Sequence, residues 1–125
     1  MHEVGHSLGF FHEQSRSDRD SFVDIVYKNI ASFRELNFEK YDETEIENFE
    51  PYDLSSDMHY GSLYFSANNK VTIATRDGRY QKTIGQRLDL SFTDIKTANN
   101  VYCKSIYKIK KNCLISLKFG NLVYF

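Results

Sequence analysis

The sequence predicts an α+β fold, on three observations. Gly9 closes an opening helical segment, Ser91 and Asp94 open a second helix that runs to Tyr102, and two short strand-like segments flank Asp77-Gly78 between them. The chain has 125 residues, of which 41% are hydrophobic and 26% charged, with a formal net charge of −1. That is the composition of one globular unit or a piece of a larger one. Near-zero net charge argues against nucleic acid as the main partner. The longest apolar stretch, Cys113 to Phe125, carries Lys118 and falls short of the ~20 residues that a membrane span needs. Met1 is followed at once by His2 and Glu3, so this chain shows no basic and then apolar run of a secretory signal.

The elements follow in order. Glycine enters the left-handed region without a Cβ clash, so a helix ends at Leu8 or Gly9. Phe22, Val23, Ile25, Val26, Ile30, Phe33, Leu36 and Phe38 recur partly at three and four residues, which predicts a helix over Asp24–Phe33. Glu39 to Asp57 is acidic, with Lys40 its one basic residue, and reads as a solvated irregular face in preference to a cation site. Val71–Ala74 and Tyr80–Ile84 read as two short strands around the Asp77-Gly78 turn. Ser91 with Asp94 forms a capping box, and Ile95, Ala98, Val101 and Tyr102 extend a helix over Phe92–Tyr102. Beyond Cys103 come Lys104, Lys108, Lys110, Lys111 and Lys118 with no acid, a shift that marks a segment of different origin or role. Cys103 and Cys113 are too few for a disulfide scaffold, and their number leaves the redox compartment open.

The chemistry lies near the start. Three of the four histidines fall in the run H-E-V-G-H-S-L-G-F-F-H from His2 to His12. Helix positions four apart share a face, so His2 and His6 can present two imidazoles to one ion with Glu3 beside them. Gly9 then lets the chain turn sharply and bring His12 back as a third ligand, leaving a fourth position open for water. Three neutral imidazoles suit Zn²⁺, although Cu²⁺, Co²⁺ and Ni²⁺ accept the same ligands. A structural zinc closes its shell with a fourth protein ligand; Glu3 beside an open position points to catalysis instead.

The run continues to Asp20 as E-Q-S-R-S-D-R-D, and the whole resembles the signature of the astacin family of zinc endopeptidases, which are metzincins. Pro51 to Gly61, P-Y-D-L-S-S-D-M-H-Y-G, resembles the family's Met-turn. Further matches occur over Tyr80 to Arg87, Leu90-Ser91, Asp94-Ile95 and Asn99 to Cys103, so the resemblance covers about residues 2–103. It implies hydrolysis of peptide bonds in protein or peptide substrates by a water that one catalytic Zn²⁺ activates. It implies His2, His6 and His12 as metal ligands and Glu3 as general base. Tyr60 is implied as a fifth ligand at rest that swings away and donates its O–H to the tetrahedral intermediate. Met58 stands for the methionine that floors the site, and His59 reads as a structural hydrogen-bonding residue. Glu13 matches a position that in the family contacts the N-terminus freed by propeptide removal. Arg16, Asp18, Arg19 and Asp20 are expected to form local ion pairs and turn hydrogen bonds.

The same resemblance sets an expectation about extent. Residues 1–103 match the C-terminal half of a zincin-like catalytic domain, with active-site helix, Met-turn and C-terminal helix. The N-terminal sheet that would bind extended substrate by β-augmentation is missing. Residues 104–125 form an atypical lysine-rich tail. Cys103 matches a family cysteine whose partner lies in the missing half, with Cys113 as the alternative partner. A truncated, non-catalytic fragment that keeps the zinc motif is the alternative function, and a secreted or extracellular setting follows from the family.

Overall fold

The computed structural model describes residues 1–44 and 47–103. Helix α1 covers His2–Ser7. It stops where glycine permits: Gly9 adopts φ +83°, its N–H bonds to the His6 carbonyl (2.9 Å), and the Phe10 N–H reaches back to the Gly5 carbonyl (3.1 Å). These two bonds around a left-handed glycine form a Schellman stop, which reverses the chain toward His12. The Tyr102 hydroxyl donates to the Leu8 carbonyl and ties this stop to a residue 94 positions further along.

The segment expected as a helix over Asp24–Phe33 is not helical. Strand β1 spans Val23–Ile25 and a 3₁₀ turn spans Tyr27–Asn29. The backbone partners are remote: Val26 N–H donates to the Thr72 carbonyl (2.8 Å) and Ala31 N–H to the Phe65 carbonyl (2.8 Å). Phe33, at φ 67°, is incompatible with a continuing helix.

Strand β2 covers Ile73–Thr75, two residues later than expected at its start. It pairs antiparallel with β1 in the register Val23 to Thr75, Asp24 to Ala74 and Ile25 to Ile73. Tyr80–Ile84, expected as its hairpin partner, forms no strand. The side chain of Gln81 stands in for one: its Oε1 accepts the Thr75 N–H (2.9 Å) and its Nε2 donates to the Ile73 carbonyl (3.0 Å). One amide group thus satisfies the β2 edge that a second strand would otherwise pair.

Val23 and Ile73 project into a core completed by Ile30, Phe38, Tyr52, Tyr60 and Ile84. Helix α2 covers Phe92–Tyr102, as its sequence pattern predicts, and starts on the expected capping box: Asp94 N–H to Ser91 Oγ at 2.9 Å and Ser91 N–H to Asp94 Oδ2 at 3.0 Å. Glu50 moors it, accepting from Lys96 Nζ at 2.7 Å and Asn100 Nδ2 at 2.6 Å. The acidic stretch therefore divides. Glu39, Asp42, Glu43 and Glu47 are exposed as expected, whereas Glu50 is spent on α2 and Asp57 is buried. Asp57 faces Arg87 at 3.8 Å. The lysine-rich tail and Cys113 lie outside the described residues.

Candidate active site

Helix α1 and its glycine stop bring three imidazoles together. His6 Nε2 lies 3.2 Å from His2 Nε2 and 3.1 Å from His12 Nε2. All three potential ligand atoms fall within 4.8 Å of one another, and they form the one such cluster found among the described residues. Two of the rings are oriented from behind. His2 Nδ1 donates to the Asp57 carbonyl at 2.7 Å and His6 Nδ1 to the Phe10 carbonyl at 2.9 Å. With Nδ1 carrying the proton, each Nε2 keeps its lone pair for a metal. Three Nε2 atoms converging at one point, two of them on rings held by carbonyls, is a donor set that fits Zn²⁺.

His12 favours the neutral form. Burial lowers its pKa to about 4, with additional repulsion from His6, His2, Arg87 and His59. An uncharged imidazole is the form that binds metal.

Below this cluster lies the turn containing Met58. Met58 is buried against Gly5 of α1, and the Met58 carbonyl accepts the Glu13 N–H at 3.1 Å. Tyr60 follows, its ring centroid 4.4 Å from that of His12. Burial raises the pKa of its phenol, so the hydroxyl remains a proton donor. Its backbone N–H donates to Gln14 Oε1 at 3.0 Å, which links the Tyr60 turn to the loop after His12.

His59 stands apart from the other three histidines. Fully buried, it accepts or donates at Nε2 to the Tyr52 hydroxyl (2.8 Å) and at Nδ1 meets the Tyr60 carbonyl (2.7 Å). Both ring nitrogens are occupied within the core, and burial lowers its pKa to about 4. Glu3 is exposed on α1, one residue along from His2.

Glu13 faces inward. Burial raises its pKa to about 7, against the pull of Arg16 and of the Asp53 N–H that it accepts at 2.8 Å. It also borders a cavity of about 370 Å³ shared with Arg16, Asp53 and Asp94. Arg16 pairs with Glu13 (3.1 Å) and Asp18 (2.7 Å), and Arg19 with Asp20 (3.1 Å). Arg19 goes further than a local pair: it is buried and donates to the Gln14 and Phe38 carbonyls, bracing the loop after His12 from inside.

Sequence reasoning had no access to the Asp57 and Phe10 carbonyls, because a backbone acceptor leaves no residue signature. Gln14 carried a faint signal, as a polar residue between Glu13 and a run of charged positions.

Comparisons with known proteins identify the family. The sequence model of the peptidase family described as Astacin matches residues 1–103. The chain is 50% identical over 115 residues to zinc metalloproteinase nas-30 of Caenorhabditis elegans, covering 90% of this chain and 16% of that protein. It is 49% identical over 104 residues to blastula protease 10 of Paracentrotus lividus, covering 82% and 17%. High choriolytic enzyme 1, a hatching enzyme zinc-protease from the medaka fish Oryzias latipes, superposes with a TM-score of 0.74 at 44% identity. That match covers 82% of this chain and 50% of the medaka chain. The chain thus spans about half of the solved relative and a much smaller part of the curated ones. It belongs to the astacin family and has the astacin fold.

Proposed function

We propose that this chain carries the metal and catalytic half of a zinc-dependent endopeptidase, with residues 1–103 as the C-terminal part of the catalytic domain. The observation that carries the reading is the convergence of the His2, His6 and His12 Nε2 atoms within 4.8 Å, with the Nδ1 positions of His2 and His6 already engaged. When bound, the zinc supplies a Lewis acid that brings the pKa of water toward neutrality and polarises a carbonyl. His2, His6 and His12 hold it, and the carbonyls of Asp57 and Phe10 keep two of the rings from turning. Glu3, exposed beside His2, takes the proton of the attacking water and passes it to the leaving amine. Tyr60 keeps its phenolic proton and donates it as a hydrogen bond to the developing oxyanion. Met58 contributes an apolar floor that packs on Gly5, not a ligand. Substrates are proteins or peptides, and the setting is outside the cell.

A second reading, a fragment that binds metal without turnover, is favoured by one observation. Met1, which precedes α1, and Val4 within it are each 40% exposed, so apolar surface stays open beside the helix. One experiment separates the two readings. The purified chain with one equivalent of Zn²⁺ is incubated with an internally quenched peptide, beside Glu3→Ala. Cleavage at internal bonds by the parent, at least about 100-fold faster than by Glu3→Ala, is the expected result. Equal rates from both proteins overturn the endopeptidase reading, and zinc binding without cleavage selects the second one.

A further inference from the structure

The carboxylate of Asp94 serves two structures at once. Within α2 it closes the capping box by accepting the Ser91 N–H through Oδ2 (3.0 Å). The same oxygen accepts the backbone N–H of Asp57 at 3.0 Å, and Oδ1 accepts the Ser56 hydroxyl at 2.7 Å. Ser56 Oγ in turn accepts the Met58 N–H at 3.0 Å. One side chain of α2 therefore binds the Ser56–Met58 turn directly at two points and indirectly at a third.

The turn leads on to the histidines. Asp57 gives its N–H to Asp94 and offers its carbonyl to His2 Nδ1, so the peptides on either side of one residue join α2 to a proposed ligand. Asp94 is 7% exposed, and Ser56, Asp57 and Met58 are 1–2% exposed, so water cannot readily replace a lost bond. A cap requires only the Ser91 contacts; those to Ser56 and Asp57 do nothing for the helix end. Glu or Gln is the usual residue at this position of a capping box. The shorter Asp brings the carboxylate to where the turn can also reach it.

We propose that Asp94 is a positioning residue of the metal centre, which holds the Asp57 carbonyl where it fixes the ring of His2. The inference rests on the reading of His2, His6 and His12 as zinc ligands. Three variants of the full chain test it. Ser91→Ala weakens the cap and leaves the bonds to the turn. Ser56→Ala removes the bond its hydroxyl gives to Asp94 and the one it accepts from the Met58 N–H, and leaves the cap. Asp94→Glu keeps the charge and the usual capping residue but displaces the carboxylate from the turn.

Zinc affinity is read by competition with a chromophoric chelator and thermal stability by circular dichroism. The expected result is zinc affinity about tenfold weaker in Ser56→Ala and Asp94→Glu and changed less than about twofold in Ser91→Ala, although all three lower Tm. Affinities that simply track Tm in all three variants, or that stay within about twofold in Ser56→Ala and Asp94→Glu, overturn it. A third readout needs no metal: the His2 Nδ1–H proton, followed by ¹⁵N–¹H NMR of the apo chain. Slow exchange in the parent and fast exchange in Ser56→Ala supports the positioning role even if the parent binds no zinc, an outcome that would remove only the metal reading. Equal exchange in both proteins counts against the role.

Discussion

Gly5 and Met58 are in contact so close that neither position has room for a larger group. A Cβ on Gly5 would lie 2.6 Å from Met58 Sδ, and Met58 is 1% exposed, with little freedom to move aside. The glycine between the two helical histidines is therefore set by the methionine beneath them.

Gly5→Ala is expected to destabilise the fold. Overpacking of about 1–3 kcal/mol outweighs the roughly 0.5–1 kcal/mol that alanine gains over glycine inside a helix. With Met58→Ala in place the contact is gone, and Gly5→Ala becomes stabilising. Urea unfolding of the four proteins reads the sign change. The same effect in both backgrounds would exclude the contact as its cause.

His6 and His59 are expected to fail in different ways. His6→Ala weakens zinc binding by more than about 100-fold and leaves the core intact. His59→Ala leaves the buried Tyr52 hydroxyl without its 2.8 Å partner, which costs roughly 1–3 kcal/mol of stability. Its zinc stoichiometry, measured by titration calorimetry, stays at one.

Stability of the metal-free chain depends on pH through three groups whose pKa values burial shifts. His12 and His59 have folded pKa values of about 4 against an ordinary 6.5. The unfolded chain therefore binds two more protons between these values, and their contribution is complete above pH 6.5 and lost as pH falls toward 4. Glu13 runs the other way, with a folded value of about 7 against 4.5, so its contribution grows as pH falls through 7. Near pH 5.5 the net difference is about one proton, a slope of roughly 1.4 kcal/mol per pH unit. Glu13→Gln removes the opposing group and doubles that slope to about 2.7. Urea unfolding at several pH values in the presence of a chelator measures it, and an unchanged slope would show that Glu13 is ionised in the folded chain at pH 5.5.

Tyr60→Phe keeps the ring that packs on His12 and removes only the hydroxyl. In the proposed endopeptidase kcat falls by roughly 100-fold while KM stays within a few-fold. A rise in KM with kcat unchanged would assign Tyr60 to substrate binding instead.

The parts legible in the sequence are those whose partners lie close along the chain. Ser91 and Asp94 cap each other across three residues, Gly9 ends the helix that carries His2 and His6, and each structure forms where expected. What local spacing could not show is Val23–Ile25, whose partners Ile73–Thr75 lie some fifty residues away. Val23, Ile30 and Phe38, with Phe22 and Ile25 packed against them, reach one core from a strand and successive turns, while Phe33 and Leu36 stay exposed; that mixture imitates helical spacing. Tyr80–Ile84 forms no strand for a related reason: the Gln81 side chain, in place of a paired backbone, bonds the β2 edge, and spacing along the chain does not distinguish the two. The candidate site followed the same division: the three imidazoles are local, while Asp57, which orients one of them, is 55 residues from His2.

This separation affects how much a metal can stabilise the fold. Since all three imidazoles occur between His2 and His12, an unfolded chain carries them too, within one short flexible segment. Zinc then binds both states, and only the excess affinity of the folded one shifts the unfolding equilibrium. That excess comes from the ring orientation imposed by the Asp57 and Phe10 carbonyls. Zinc should therefore raise the melting temperature by less than its dissociation constant alone implies, and the shortfall measures how far the short loop collects the metal before the fold is complete.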